Sequence, residues 1–314
     1  MVESQLLKIE PGYRWPSDVA AGLDKGDFLP NYDADSLVKA IASKSPKDFV
    51  ALTFLSKEYL DLLKIWIKYA EKAIGDQFVV VAADDESFNA AKSLRVSVVR
   101  VRLPSALTSI TEKNPGQFNG IGMAIIVSRL HIIKFLISSG FNVIQIDMDA
   151  LILQNPFPYI AETADIAFQR VVYFPRYVID RWGFALCGGF VAFRSSPSAL
   201  RLLDIACDLI RHVSSDQLAL NLSLSSMGVN WRRNDVGDLH SSFLSSHKKC
   251  FVRNAHETIM GSIDSSVIQA LPATTFWRHE LIPLIKSQCV LFHPNTPKNA
   301  GLKLADFERL GVFG

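Results

Sequence analysis

Apolar positions along this chain fall into two rhythms, and their alternation lays out most of the fold. Phe49 to Leu55 is a short apolar run closed by Ser56-Lys57-Glu58, the form a buried parallel strand takes. From Tyr59 to Ile74 the rhythm changes: Leu62, Leu63, Trp66, Ile67 and Ala70 recur at helical spacing with charges between them, and Gly75 stops the helix. Phe78 to Ala83 is a second strand ending in Asp84-Asp85, and Val96 to Val101 a third. Met123 to Ile137, broken only by Arg129, His131 and Lys134, reads as a helix packed on a sheet and capped by Gly140. Phe141 to Ile146 follows as a fourth strand and runs directly into Asp147-Met148-Asp149. Strand and helix in alternation predict an α/β doubly wound parallel sheet, whose carboxyl edge is where ligands bind.

Downstream the pattern predicts a strand near Gly189 to Phe193 and helices from Ser198 to about Val213 and from Ser215 through Leu224. A less regular Ser- and His-containing stretch runs to about Ile263, with Ser dense between Ser241 and Ser246. The first 45 residues carry Pro11, Pro16 and Pro30 and no clear period. The expected organisation is therefore an N-terminal extension, 1–45, before a single domain, 46–314. With 49% hydrophobic residues in 314, there is chain enough for one large core.

Charge narrows the partners. Lys and Arg number 33 against 31 for Asp and Glu, a formal net of +2, which gives no electrostatic reason to expect nucleic acid or a membrane surface. Cys187, Cys207, Cys250 and Cys289 are scattered without a CxxC pair, fitting reduced thiols. The opening residues are too polar for a signal peptide, and no uninterrupted apolar run approaches the roughly 20 residues of a membrane span. The expected location is the cytoplasm, with the Golgi lumen as the alternative for a chain trimmed of its anchor. The sequon Asn221-Leu222-Ser223 would matter only in that second case.

Two aspartates one residue apart at a strand end suit a hard divalent cation with oxygen ligands, and such a cation can bridge a diphosphate. Alone, the pair is equally a solvated turn. It stands, however, within a series of blocks in order: Leu136-Ile137-Ser138-Ser139-Gly140-Phe141-Asn142-Val143 before it, then Asn155-Pro156-Phe157, Cys187-Gly188-Gly189-Phe190-Val191-Ala192-Phe193-Arg194, and Ser215-Asp216-Gln217-Leu218-Ala219-Leu220-Asn221. Across about residues 49 to 300 the chain resembles the nucleotide-diphospho-sugar transferases that include plant wall xylosyl- and arabinosyltransferases. It departs from the family pattern at Cys187-Gly188-Gly189, where the family typically has Asn-Ser-Gly.

The resemblance implies a GT-A, Rossmann-like fold, with a mixed, mostly parallel sheet flanked by helices. It implies a glycosyltransferase moving a sugar from a nucleoside-diphosphate donor, UDP by analogy, to a glycan or protein-linked sugar, with retention of configuration. Asp147, Asp149 and His293 would hold Mn²⁺ or Mg²⁺. Asp216 and Gln217 would lie beside the donor sugar as the catalytic pair, although Ser214-Ser215-Asp216 also reads as a helix N-cap. Thr53 and Asp84, at the ends of the first two strands, would lie near base and ribose. Arg129, Met148, Gly188, Gly189, Lys298 and Lys303 would complete the donor site, with Arg129 and the lysines facing the phosphates. Tyr173, Phe174, Tyr177 and Trp182 fall where acceptor-facing loops are expected. Two other readings compete. Apolar strand plus Asp-x-Asp also opens the nucleophile loop of haloacid-dehalogenase-like phosphatases, but Leu151 stands where those carry Thr or Val. A binding module would hold a nucleotide sugar or glycan without turnover.

Overall fold

The apolar runs up to residue 146 become neighbours in one sheet. The structure, a computed structural model, describes residues 11–15, 19–20, 28–44, 49–115, 118–232, 244–278, 280–295, 298–309 and 311. Its strands are β1 (Asn31–Tyr32), β2 (Val50–Leu55), β3 (Phe78–Ala82), β4 (Val98–Arg102), β5 (Val143–Ile146), β6 (Leu151–Ile152), β7 (Ala164–Val171), β8 (Ala185–Phe193), β9 (Asn230–Arg232), β10 (Ile259–Ile263), β11 (Ser266–Ala270), β12 (Phe276–Trp277) and β13 (Leu291–Phe292). Among the described residues ten of these form one sheet in the order β1-β4-β3-β2-β5-β8-β7-β11-β10-β9. β4, β3, β2 and β5 run parallel. Every residue of β2, β3 and β5 is buried, which is why their sequences are near-continuous apolar runs rather than alternating ones. β8 then enters antiparallel to β5, and β7 antiparallel to β8, making the sheet mixed.

The helices are α1 (Ala34–Ala42), α2 (Leu60–Ile74), α3 (Asp85–Ser93), α4 (Ser105–Thr108), α5 (Gly120–Ser138), α6 (Arg176–Trp182), α7 (Pro197–Leu209), α8 (Asp216–Ser226), α9 (Leu244–Arg253) and α10 (Ala300–Arg309). α5 starts where the Asn119 side chain accepts from the Gly122 amide. Its 19 residues are long and apolar enough to cross a membrane by length and composition, although Arg129, His131 and Lys134 interrupt the apolar run. Here it is a core helix, largely buried against β5 and α7.

The segment before residue 46 is also tied down where it is described. β1 pairs with β4 at the sheet edge, and α1, capped by Asp33, buries Leu37 and Ile41. Farther upstream, the Trp15 indole donates to the Ile210 carbonyl at 2.9 Å, and the Ser214 amide donates to the Tyr13 carbonyl at 2.7 Å. The strands expected near residues 78, 96 and 141 are present within a few residues. β8 begins four residues before the Gly189 start read from sequence.

A three-stranded sheet, β12-β13-β6, does the positioning work. β6 leaves Asp149 two residues behind it, and β13 leads into His293. Their antiparallel register, Phe292 opposite Leu151, brings the end of one beside the beginning of the other. On the main sheet, Ile146 faces Phe190, and the Asp147 amide extends that ladder by donating to the Gly189 carbonyl at 2.9 Å.

Candidate active site

These two registers bring residues 147, 149, 188, 189 and 293 together. One ligand atom from each of Asp147, Asp149 and His293 lies within 4.8 Å of the others. His293 Nε2 is 3.3 Å from Asp149 Oδ1 and 3.9 Å from Asp147 Oδ2. The glycines permit this closeness. A Cβ on Gly189 would stand 2.1 Å from His293 Cε1 and 2.7 Å from Asp147 Oδ2, and one on Gly188 would stand 3.2 Å from the Arg129 guanidinium.

The tautomer of His293 follows from its neighbour. Gln169 Nε2 donates to the carbonyls of Phe276 and Trp277, each at 3.2 Å, so its Oε1 must accept. That oxygen lies 3.1 Å from His293 Nδ1, which therefore carries the proton. Nε2 is left with a lone pair facing two carboxylates, fully buried and without a hydrogen-bond partner. Burial, reinforced by Arg278, pushes the imidazole down to about 4, so it is neutral. A buried acceptor nitrogen beside two carboxylate oxygens is a donor set that fits a divalent cation and fits no hydrogen-bonding scheme as well.

This arrangement carries a pH signature. The folded value of His293, about 4, lies below the ordinary 6.5, so on acidification the unfolded chain takes up the proton first. The stabilisation is whole above the unfolded value and is lost as pH falls through the folded one, an effect of at most about 3 kcal/mol. His131, pushed to about 4 by burial, adds a second contribution of the same sign. Thermal melts of wild type and His293→Gln at about pH 7.5 and about pH 4.5 should show a shallower dependence in the variant. Equal dependence in both would refute the assignment.

Arg129 joins the two halves of the site. From α5 it reaches Asp147 Oδ1 at 2.7 Å and pairs with Asp216 Oδ2. Asp216 is thus the first residue of α8, and Ser215 is its cap, accepting from the Leu218 amide. Gln217 Oε1 accepts from the Gly188 amide at 3.2 Å, and its Nε2 donates to the Phe174 carbonyl at 2.7 Å. Gln145, on β5, donates to Asp147 Oδ1 at 3.0 Å. Arg129, Asp147, Gly188, Ser215, Asp216 and Gln217 line a cavity of about 440 Å³ that also takes in Tyr173, Phe174, Arg278 and Lys298. A second, smaller cavity of about 70 Å³ shares Arg129, Asp147 and Lys298 with the first and takes in Phe54, Tyr59, Met148 and Asp149.

Three predicted contacts fall elsewhere. Thr53 does not end its strand, which continues to Leu55; it is buried and lines neither cavity, while Phe54 lines the smaller one. Asp84 caps α3, accepting from the Ser87 amide at 2.8 Å, and also accepts from the Lys57 amide at 2.8 Å, so both its oxygens are used in joining two turns. Lys303 is fully buried with its Nζ 2.6 Å from Asp149 Oδ2, and it faces that carboxylate rather than either cavity. Burial pushes it down to about 8 against the pull of Asp149. Burial alone would raise Asp149, but Lys303 and Lys298 hold it well below the usual carboxylate range. Of the acceptor-side aromatics, Tyr173 and Phe174 line the larger cavity, whereas Trp182 packs against Trp231 in the core. Gln145, Gln169, Tyr59 and Arg278 are functional candidates that the sequence reading did not single out.

Sequence comparison now bears on this geometry. The family model for nucleotide-diphospho-sugar transferases matches residues 73–307, well over half of the chain and inclusive of the whole carboxylate–histidine cluster. The chain belongs to that family. As a nucleotide-diphospho-sugar transferase it is a glycosyltransferase, which removes the phosphatase reading. A search of curated proteins finds no match. Among solved structures, mouse xyloside xylosyltransferase 1 in its apo form is similar at TM-score 0.39 and 14% identity, over 57% of this chain and 82% of that one. The apo bifunctional glycosyltransferase WbbM is similar at TM-score 0.40 and 13% identity, over 56% of this chain and 37% of that one.

Proposed function

We propose that this transferase moves a sugar from a nucleoside-diphosphate donor, UDP by analogy with its family, to a hydroxyl of a glycan or protein-linked sugar, in a reaction dependent on a divalent cation. The observation that carries the metal dependence is the lone pair of His293 Nε2, buried without a partner and facing Asp147 and Asp149. Those three residues would hold Mn²⁺ or Mg²⁺. Bound there, the cation would neutralise charge developing on the departing diphosphate. Lys298, which lines both cavities, would add a second positive charge to the same group.

The larger cavity would take the sugar. Asp216 has one oxygen held by Arg129 and the other accepting from the Gln217 amide at 2.8 Å. A carboxylate committed on both oxygens is better suited to orienting sugar hydroxyls or stabilising an oxocarbenium-like centre than to attacking carbon. This supports retention by a front-face route, in which an oxygen of the leaving phosphate takes the acceptor proton. The Tyr13 and Phe174 rings, stacked at 4.4 Å on the rim of this cavity, offer an apolar surface for an acceptor ring.

The test is a panel of nucleotide sugars incubated with the protein and Mn²⁺, with and without chelator, scoring release of nucleoside diphosphate and the anomer of the product. Release from one donor, abolished by chelator and restored by added Mn²⁺, is the expected result. Release that ignores the chelator would overturn the metal dependence, and a product anomer opposite to the donor's would overturn retention.

A further inference from the structure

Among the described residues three arginines are buried, and each meets its charge differently. Arg129 is neutralised by Asp147 and Asp216. Arg170 donates to the backbone carbonyls of Leu271, Asn254, Ala255 and Glu257, a fully satisfied structural role. Arg278 is as deeply buried, at 6% exposure, but meets only neutral acceptors: the Tyr173 hydroxyl at 3.0 Å through Nε and the His293 carbonyl at 3.4 Å through Nη1. Among the described residues it forms no ion pair, yet it lines the larger cavity. Lys298 lines the same cavity; its ammonium stands 4.8 Å from the centre of the Phe118 ring.

A guanidinium stays protonated, and burying it without a counter-anion is costly. Its planar fork is also matched to paired oxygens of phosphate or carboxylate. We propose that Arg278 binds an oxyanion of the substrate in the larger cavity, either a phosphate oxygen of the donor or the carboxylate of an acidic sugar. The inference rests on the nucleotide-sugar reading for the identity of the substrate, and on the unpaired guanidinium for the site.

The experiment titrates wild type, Arg278→Met and Arg278→Lys, each with Mn²⁺, using UDP, UDP-glucose, UDP-glucuronate and inorganic pyrophosphate, and follows the melting temperature of each variant. Loss of a charge-assisted contact should weaken binding about 10- to 100-fold in Arg278→Met, with only part regained in Arg278→Lys, which lacks the fork. Equal weakening for all four probes identifies phosphate as the anion; weakening confined to UDP-glucuronate identifies the sugar carboxylate. Should UDP and its sugars fail to bind wild type, Arg278-dependent pyrophosphate binding would retain the anion site while removing the nucleotide reading. A melting temperature lowered by Arg278→Met, with every wild-type affinity unchanged or no Arg278-dependent binding of any probe, would overturn the proposal and leave Arg278 a brace for Tyr173 and the His293 carbonyl.

Discussion

Asp149→Ala is expected to abolish donor-dependent release of nucleoside diphosphate, by on the order of 10³-fold, and to destabilise the protein at the same time. The second effect follows from Lys303. Its ammonium is fully buried and 2.6 Å from Asp149, so removing the carboxylate strands a charge in the interior. Breaking such a pair from one side costs about 3–5 kcal/mol, whereas replacing both members by apolar groups is often close to neutral. Asp149→Ala combined with Lys303→Met should therefore recover most of the lost melting temperature while remaining inactive. That separation matters, because a loss of activity in the single variant alone would be explained equally by unfolding. Recovery of activity together with stability in the double variant would show that Asp149 has no role beyond pairing with Lys303.

How much of this site was legible in the sequence depends on what each residue's neighbours look like in one dimension. Asp147 and Asp149 stand out because an unbroken buried strand delivers them, and His293 because Val290-Leu291-Phe292 precedes it. Their juxtaposition was not readable, since it depends on the register of β13 against β6, two strands of two residues each. β7 carries no comparable apolar signal. Its Gln169 and Arg170 break the apolar run, and they are buried because each donates to backbone carbonyls from elsewhere in the chain. Without that strand the partner that fixes the His293 tautomer had no visible place. Lys303 misled in the opposite direction. A lysine in a C-terminal amphipathic helix, α10, reads as solvent-facing or substrate-facing, and only tertiary packing shows it turned inward to Asp149. Asp84 was legible in principle: Asp followed three residues later by Ser at a helix start is a capping pattern, and a strand end followed by a helix commonly uses its acidic residue in that way.

The close approach of the backbone at Gly189 to the carboxylate–histidine cluster leads to the other large effect. Gly189→Ala is expected to reduce activity by about 10²-fold or more while leaving the fold in place. The backbone here runs so close to the cluster that an added methyl would meet His293 Cε1 at 2.1 Å and Asp147 Oδ2 at 2.7 Å. Neither neighbour can yield cheaply. His293 is held through Nδ1 by Gln169, and Asp147 by Arg129 and Gln145. Something must nevertheless shift, at a stability cost of about 1–3 kcal/mol, and whichever ligand moves spoils the convergence of all three. The defect should then lie in metal binding, so a higher Mn²⁺ concentration should restore part of the activity. Gly188→Ala serves as the comparison: its nearest contacts are 3.2 Å from Arg129 and 3.4 Å from Asp216, distances at which small adjustments suffice. It should disturb the sugar-facing pair and leave the Mn²⁺ requirement near that of wild type. Measuring Mn²⁺ activation curves for the two variants separates these outcomes, and a Gly189→Ala enzyme with the wild-type curve would show that the backbone at 189 does not set the geometry of the three ligands.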